Sequence, residues 1–350
     1  MVGTVRIGTR EVGDGAPCFI IAEAGSNHNG QLEQAKRLID VAVSAGADAV
    51  KFQLFRARTL YARGAGESDY LKFSRSIYDI IAGLEMPYEW LPELAAHARA
   101  AGIVFMVSVF DEEGADQIDP LVAVYKIASY EMTHLPLIRH VAAKRKPLII
   151  STGTADLDEV AATVEDVRRS PAAGLALMQC TAAYPAPLEA LNLRAIATMK
   201  AAFGVPVGLS DHSRDPLVAP MAAVALGANL LEKHFTLSNE LPGPDHPFAV
   251  EPAELRLMVR RAREVEAALG SGEKRVQPVE AELRRFARRA IFAAQDIAVG
   301  EPFTRENLAV LRCGKLTPGL PPSALESLLG RPARRALRAE EPVTAEDHVG

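Results

Sequence analysis

Two short stretches, SDHS at 210–213 and EKHF at 232–235, each place a histidine two residues beyond a hydroxyl or carboxyl side chain. Residues two apart on an extended chain share a face. Ser210 with His212, and Glu232 with His234, are therefore matched polar pairs, and Lys51 with Gln53 in AVKFQLF repeats the spacing. Two imidazoles projecting the same way suit a divalent metal, because ring nitrogen is preferred by manganese, iron, cobalt or zinc over magnesium. With two protein ligands such an ion keeps open positions for polarising a carbonyl or activating a water. The alternative is that each ring is simply hydrogen-bonded in polar surroundings.

Lys51 and Lys126 fall inside apolar runs, where an unpaired ammonium is costly. Ion pairs to Glu23 or Glu232 would satisfy them. With Ser108, Ser129, Ser151 and Ser210 alongside, the two lysines also form a cradle for a small phosphorylated or carboxylated ligand, while a Schiff base on one lysine is a rival chemistry. Tyr184 follows closely on another apolar run. His28 in SNHNG, and Asp245 and His246 in GPDH, fall on loops, where residue type alone carries little weight.

The elements that must position these groups are short, β-branched and apolar: 19–25, 49–55, 103–110, 122–129, 146–153, 174–180, 205–211 and 229–235, with runs of helical period between them, such as 32–46. Nearly continuous apolar strands joined by helices predict a parallel sheet covered on its faces. Eight units in roughly 250 residues fit a closed (β/α)₈ TIM barrel of class α/β, whose catalytic groups sit at the C-terminal strand ends. An open doubly wound sheet is disfavoured: the first strand runs into SNHNG rather than a glycine-rich dinucleotide turn. The amphipathic run 251–270 is the expected closing helix with Gly270 as its stop. The domains are predicted as 1–270 for the barrel, 271–284 for a linker and 285–350 for a small separate domain.

Composition narrows the partners. A net charge of −5 and a pI near 6.0 give no general attraction for nucleic acid or anionic membrane. The arginines of the last domain are interrupted by acids and apolar residues, as on a solvated face. No apolar stretch reaches the roughly 20 residues needed to span a bilayer, and the N-terminus lacks a signal pattern, so a cytoplasmic location is expected. Cys18, Cys180 and Cys313 are too scattered for a disulfide framework and are expected as small buried residues.

Taken together and in order, AEAGSNHNG, AVKFQLF, YKIAS, STGT, CTAAYPAP, VGLSDHS, GANLLEKHF and GPDHPFAVEP resemble the sialic acid synthase family over about residues 17 to 270. The tail RAIFAAQDIAVGEPFTRENLAVLRCG resembles the antifreeze-like (SAF) domain of those enzymes. The resemblance implies condensation of phosphoenolpyruvate with an N-acylated amino-hexose, N-acetylmannosamine in the namesake, giving a nonulosonic acid such as N-acetylneuraminate and phosphate. It implies a manganese-type ion held by His212 and His234. Phosphoenolpyruvate would be bound by Lys51, Ser108, Lys126, Ser129, Ser151 and Ser210. The sugar would be met by Glu23, Gln53, Tyr184, Glu232 and Asp245, and by Phe286 and Arg312 of the small domain reaching across a domain-swapped homodimer. Glu23 is the candidate general base, or orients the aldehyde.

Departures from the family pattern concern the sugar. Ala182 stands where a hydrogen-bonding side chain is common, Lys72 falls near an expected asparagine, and RCGKLTPGL alters the turn beside Arg312. PYEW at 87–90 and YKIASYE at 125–131 look closer to pseudaminic acid synthases, and GPD at 243–245 to the sialic or legionaminic branch. A reading of another class, a carbohydrate- or ice-binding protein without catalysis, leaves the polar strand ends unexplained.

Overall fold

The computed structural model describes residues 3–67 and 76–348. Lys72 lies outside them. The chain divides into two compact units, 1–270 and 271–350. Among the described residues no helix is long and apolar enough to cross a membrane.

The first unit opens with a hairpin of β1 (Val5–Ile7) and β2 (Arg10–Val12), which the sequence reading did not anticipate. The barrel follows: β3 (Phe19–Gly25), β4 (Ala49–Leu54), β5 (Val104–Val109), β6 (Tyr125–Ile127), β7 (Leu148–Ser151), β8 (Leu175–Cys180), β9 (Val207–Asp211) and β10 (Leu230–His234). All eight pair in parallel and in chain order, and β10 returns to β3, so the sheet is closed as expected.

Strand alternation divides the apolar residues into two layers. Ile20, Ala22, Val50, Phe52, Val107 and Leu231 face outward against the helices. Phe19, Ile21, Ala49, Met106, Ile149, Ala176 and Leu230 fill the lower barrel, where Val5, Ile7 and Val12 of the hairpin pack against them. The hairpin therefore packs at the N-terminal end, and the polar side chains Glu23, Lys51, Ser108, Lys126, Ser151, Ser210, Glu232 and His234 gather toward the C-terminal end.

The helices begin and end on local chemistry. Asp156 caps Leu157–Arg168 by accepting hydrogen bonds from the backbone N–H groups of Asp158 and Glu159, and Glu159 returns a bond to the Asp156 N–H. The closing helix is Pro252–Leu269, with Glu251 and Glu254 forming the same reciprocal cap.

The second unit begins with short helical turns, Pro278–Glu280 and Ala281–Ala287. It then pairs β11 (Arg289–Ala293) with β12 (Leu308–Arg312) in antiparallel fashion. Isolated bridges such as Ile297 with Leu337 and Phe292 with Pro342 complete a small core around Ile291, Phe303, Leu337 and Val343.

Candidate active site

The register fixes the neighbours at the barrel mouth. Glu23 lies beside Lys51, Ser108 beside Lys126, Ser210 beside Glu232, and His234 beside Glu23. Together with Gln53, Ser129, Ser151, Cys180, Tyr184 and His212, these residues line one inner cavity of about 50 Å³. Above it opens a wider mouth of about 860 Å³, which Gln53, Tyr184, His234 and Asp245 share. The structure thus brings together every predicted site residue of the first unit. Phe286 and Arg312 belong to the second unit, in the helix Ala281–Ala287 and at the end of β12 respectively.

Four charges sit at the bottom. Lys51 Nζ lies 2.7 Å from Glu23 Oε2 and 3.6 Å from Glu232 Oε1, and donates to Ser108 Oγ at 2.8 Å. Lys126 Nζ donates to both Glu232 oxygens at 3.1 Å. Burial pulls the Lys51 ammonium toward neutrality, but the Glu23 and Glu232 carboxylates outweigh it and raise its pKa. For Lys126 burial prevails over the attraction of Glu232, and its pKa falls. Burial likewise works against ionised Glu232, yet Lys126 and Lys51 hold its pKa well below the usual carboxylate range. The ion pairs expected from a purely structural reading are present, and they leave both ammonium groups lining the cavity.

The serines differ in what they already do. Ser210 Oγ donates to Glu232 Oε1 at 3.0 Å, and Ser129 Oγ accepts from the Gly153 N–H at 3.1 Å. Ser151 Oγ is buried without a hydrogen-bond partner, which marks it as a group awaiting a ligand.

The histidine rings lie 5.3 Å apart, centroid to centroid, at 72°. His212 Nδ1 is 2.9 Å from the Thr181 carbonyl, which can only accept; Nδ1 therefore carries the proton and Nε2 keeps its lone pair. His234 Nδ1 is buried without a hydrogen-bond partner, with Asp245 Oδ2 3.5 Å away. Tyr184 stacks on His212 at 4.2 Å, and Phe248 lies 5.2 Å from His234. Among the described residues no third His, Cys, Asp or Glu completes a metal-holding group. Two imidazoles, one with a free lone pair and one with an orphaned nitrogen, fit an ion that keeps open positions.

Gly25 is required where the sugar contacts were expected. Its φ is +54°, and a Cβ would come 3.1 Å from Asp245 Oδ2 and 3.6 Å from both Gln53 Nε2 and Glu23 Oε1. The missing side chain lets three polar groups converge, and Gln53 donates to Glu23 Oε1 at 2.9 Å.

Sequence reasoning missed several features. Cys180, expected only as a small buried residue, also lines the inner cavity, with Sγ 3.8 Å from His212 Nδ1. Glu131 is buried just beyond β6 with Oε2 unpartnered. An apolar wall of Phe55, Ile77, Ile80, Ile81 and Leu84 flanks the wide mouth, which Ala182 also lines. Ile77, Ile80 and Ile81 of this wall come from a short helix, Ile77–Ala82, with Leu84 just beyond it, while Phe55 directly follows β4. Position in a YKIASYE run would have been the signal for Glu131; none marks the wall.

The fold and the cavity define a (β/α)₈ protein with an ionic mouth that carries two histidines, and a small appended domain. Residues 38–274 match the NeuB family model and residues 288–347 the SAF domain, and the chain belongs to the NeuB family. It is 43% identical over 339 residues to the spore coat polysaccharide biosynthesis protein SpsE of Bacillus subtilis, covering 92% of this chain and 91% of that protein. It is 41% identical over 332 residues to the N,N'-diacetyllegionaminic acid synthase of Legionella pneumophila, covering 92% of each. The crystal structure of the N-acetylneuraminic acid (sialic acid) synthetase of Leptospira borgpetersenii superposes with a TM-score of 0.72 at 31% identity, over 81% of this chain and 96% of that one.

Proposed function

We propose that this protein condenses phosphoenolpyruvate with an N-acylated amino-hexose to give a nonulosonic acid and phosphate. The observation that carries the reading is the buried pair of ammonium groups, Lys51 and Lys126, lining one cavity with the unpartnered Ser151 hydroxyl and the two histidines. Cations and a hydroxyl donor suit a phosphate and a carboxylate. A divalent ion such as manganese, held by His212 and His234, would supply Lewis-acid polarisation of the sugar aldehyde.

The residues of the chain divide the remaining work. Lys51 and Lys126 offset the substrate's negative charge, and Ser151 donates to one of its oxygens. Gln53 and Lys51 hold the Glu23 carboxylate between them, aimed at the space Gly25 leaves open. As the enol methylene forms its bond to the aldehyde carbon, positive charge develops on the carbon bearing phosphate. Glu23 then takes a proton from the water that adds there and passes it to the former aldehyde oxygen, which received the carbonyl electron pair. The new hydroxyl on that carbon loses its proton to the departing phosphate as the carbon–oxygen bond to phosphate breaks, leaving the ketone.

N-acetylmannosamine fits this reading. A second reading, a hexose with two acylamido groups, is favoured by the apolar wall at Ile77, Ile80, Ile81 and Leu84, against which a second acyl methyl would be buried. The name of the Legionella relative points the same way. Phosphate release from phosphoenolpyruvate, measured with mono- and diacylated amino-hexoses with and without manganese, tests the proposal. Release dependent on sugar and metal is expected. Release with no sugar requirement, or none with any sugar, would contradict it. Borohydride trapping of a lysine adduct would favour the Schiff-base route instead.

A further inference from the structure

Two loops meet above the inner cavity, 26–30 after β3 and 236–248 after β10. Between them His246 is fully buried, with Nδ1 2.6 Å from Thr236 Oγ1 and Nε2 3.1 Å from Asn29 Oδ1. The Asn29 oxygen can only accept, so Nε2 carries the proton, and a neutral ring then presents its Nδ1 lone pair to the Thr236 hydroxyl, whose one hydrogen also faces the Ser238 carbonyl at 3.0 Å. Burial, which lowers the pKa of His246, acts in the same direction.

The backbone is pinned around this ring. Asn239 Nδ2 donates to the carbonyls of His246 and Ala249 at 2.5 and 2.8 Å, and Asn27 Nδ2 donates to the Phe235 carbonyl at 2.8 Å. Gly243, with φ +145°, is the only residue type the ring tolerates there, since a Cβ would lie 2.8 Å from His246 Cδ2. What this clamp fixes is the preceding residue: Asp245 Oδ2 stands 3.5 Å from His234 Nδ1 and 3.1 Å from the place a Gly25 Cβ would take.

We propose that His246 is a positioning residue, clamped between Asn29 and Thr236, that sets the Asp245 carboxylate against His234 at the reaction centre. The inference rests on the reaction proposed above. A displacement of about 1 Å at such a site costs on the order of 100-fold in rate.

The test measures phosphate release by the full-length protein, unaltered and as His246→Ala, His246→Gln and Asn29→Gly, the last because glycine accepts the φ of +50° at that position. Each change is also made in an Asp245→Asn background. For His246→Ala a fall in kcat of about 30- to 100-fold is expected, with KM for phosphoenolpyruvate within about twofold. His246→Gln, which keeps a donor and an acceptor, should recover most of the loss. In the Asp245→Asn background the same substitution should cost less than about threefold, because the two residues act as a unit. Asn29→Gly should follow the same pattern and keeps the test decisive if His246→Ala does not fold. Equal losses in both backgrounds, or an unchanged kcat, overturn the inference alone; no turnover by the unaltered protein with any amino-hexose overturns the reaction and the inference with it.

Discussion

The ammonium of Lys233 lies 2.6 Å from the carboxylate of Asp211, and the two residues are register partners across β10 and β9. Both are buried, and strand alternation turns them away from the cavity that their neighbours Ser210, His212, Glu232 and His234 line. Lys233 also donates to the Asp215 carbonyl at 3.1 Å and to the Ser213 carbonyl. The pair therefore fixes the turn that follows His212. Lys233→Met should cost about 3–5 kcal/mol, because it strands a buried carboxylate. The double change with Asp211→Asn should recover part of that loss. Urea denaturation measures both, and a single-variant cost below about 1 kcal/mol would contradict the assignment.

Ser151 offers the opposite case. Its hydroxyl has no partner to lose, so Ser151→Ala should leave stability within about 0.5 kcal/mol of the unaltered protein. It should raise KM for phosphoenolpyruvate about 10-fold, the scale of one hydrogen bond to a charged group. An unchanged KM would remove Ser151 from the substrate cradle.

Glu131 carries a pH dependence. Burial pushes its pKa up to about 7 from 4.5. The folded state thus binds the proton more tightly than the unfolded chain. The associated stability is fully present below about pH 4.5 and is lost as pH rises through about 7, by roughly 3 kcal/mol for a shift of this size. Glu131→Gln should remove that slope, and the stability difference between variant and unaltered protein should grow in the variant's favour from pH 5 to pH 8. A difference that stays constant over that range would show Glu131 to be ionised throughout.

What the sequence revealed about this site follows from strand geometry. Period-two spacing predicts that Lys51 with Gln53, Ser210 with His212, and Glu232 with His234 turn inward, and each pair lines the inner cavity. The same alternation turns Asp211 and Lys233 outward, but that they pair with each other is visible only once β9 and β10 are seen to be neighbours in register. The β1–β2 hairpin was illegible because three-residue strands are too short to show a period. The apolar wall from Ile77 to Leu84 depends on where a connecting segment lies over the mouth, which side-chain spacing along a strand does not encode. The clamp on His246 is hidden for a related reason: Asn29 belongs to another loop 217 residues away, and Thr236 stands ten residues back on the same loop with no periodic spacing to link them.

The most direct measurement of the central claim traces oxygen. If phosphoenolpyruvate is attacked by water at the carbon that bears phosphate, turnover in ¹⁸O-labelled water with an N-acyl amino-hexose should place label on C2 of the keto-sugar acid and none in the released phosphate. Label in the phosphate would mean that the phosphorus–oxygen bond is cleaved and would contradict the mechanism built on Lys51, Lys126 and Glu23.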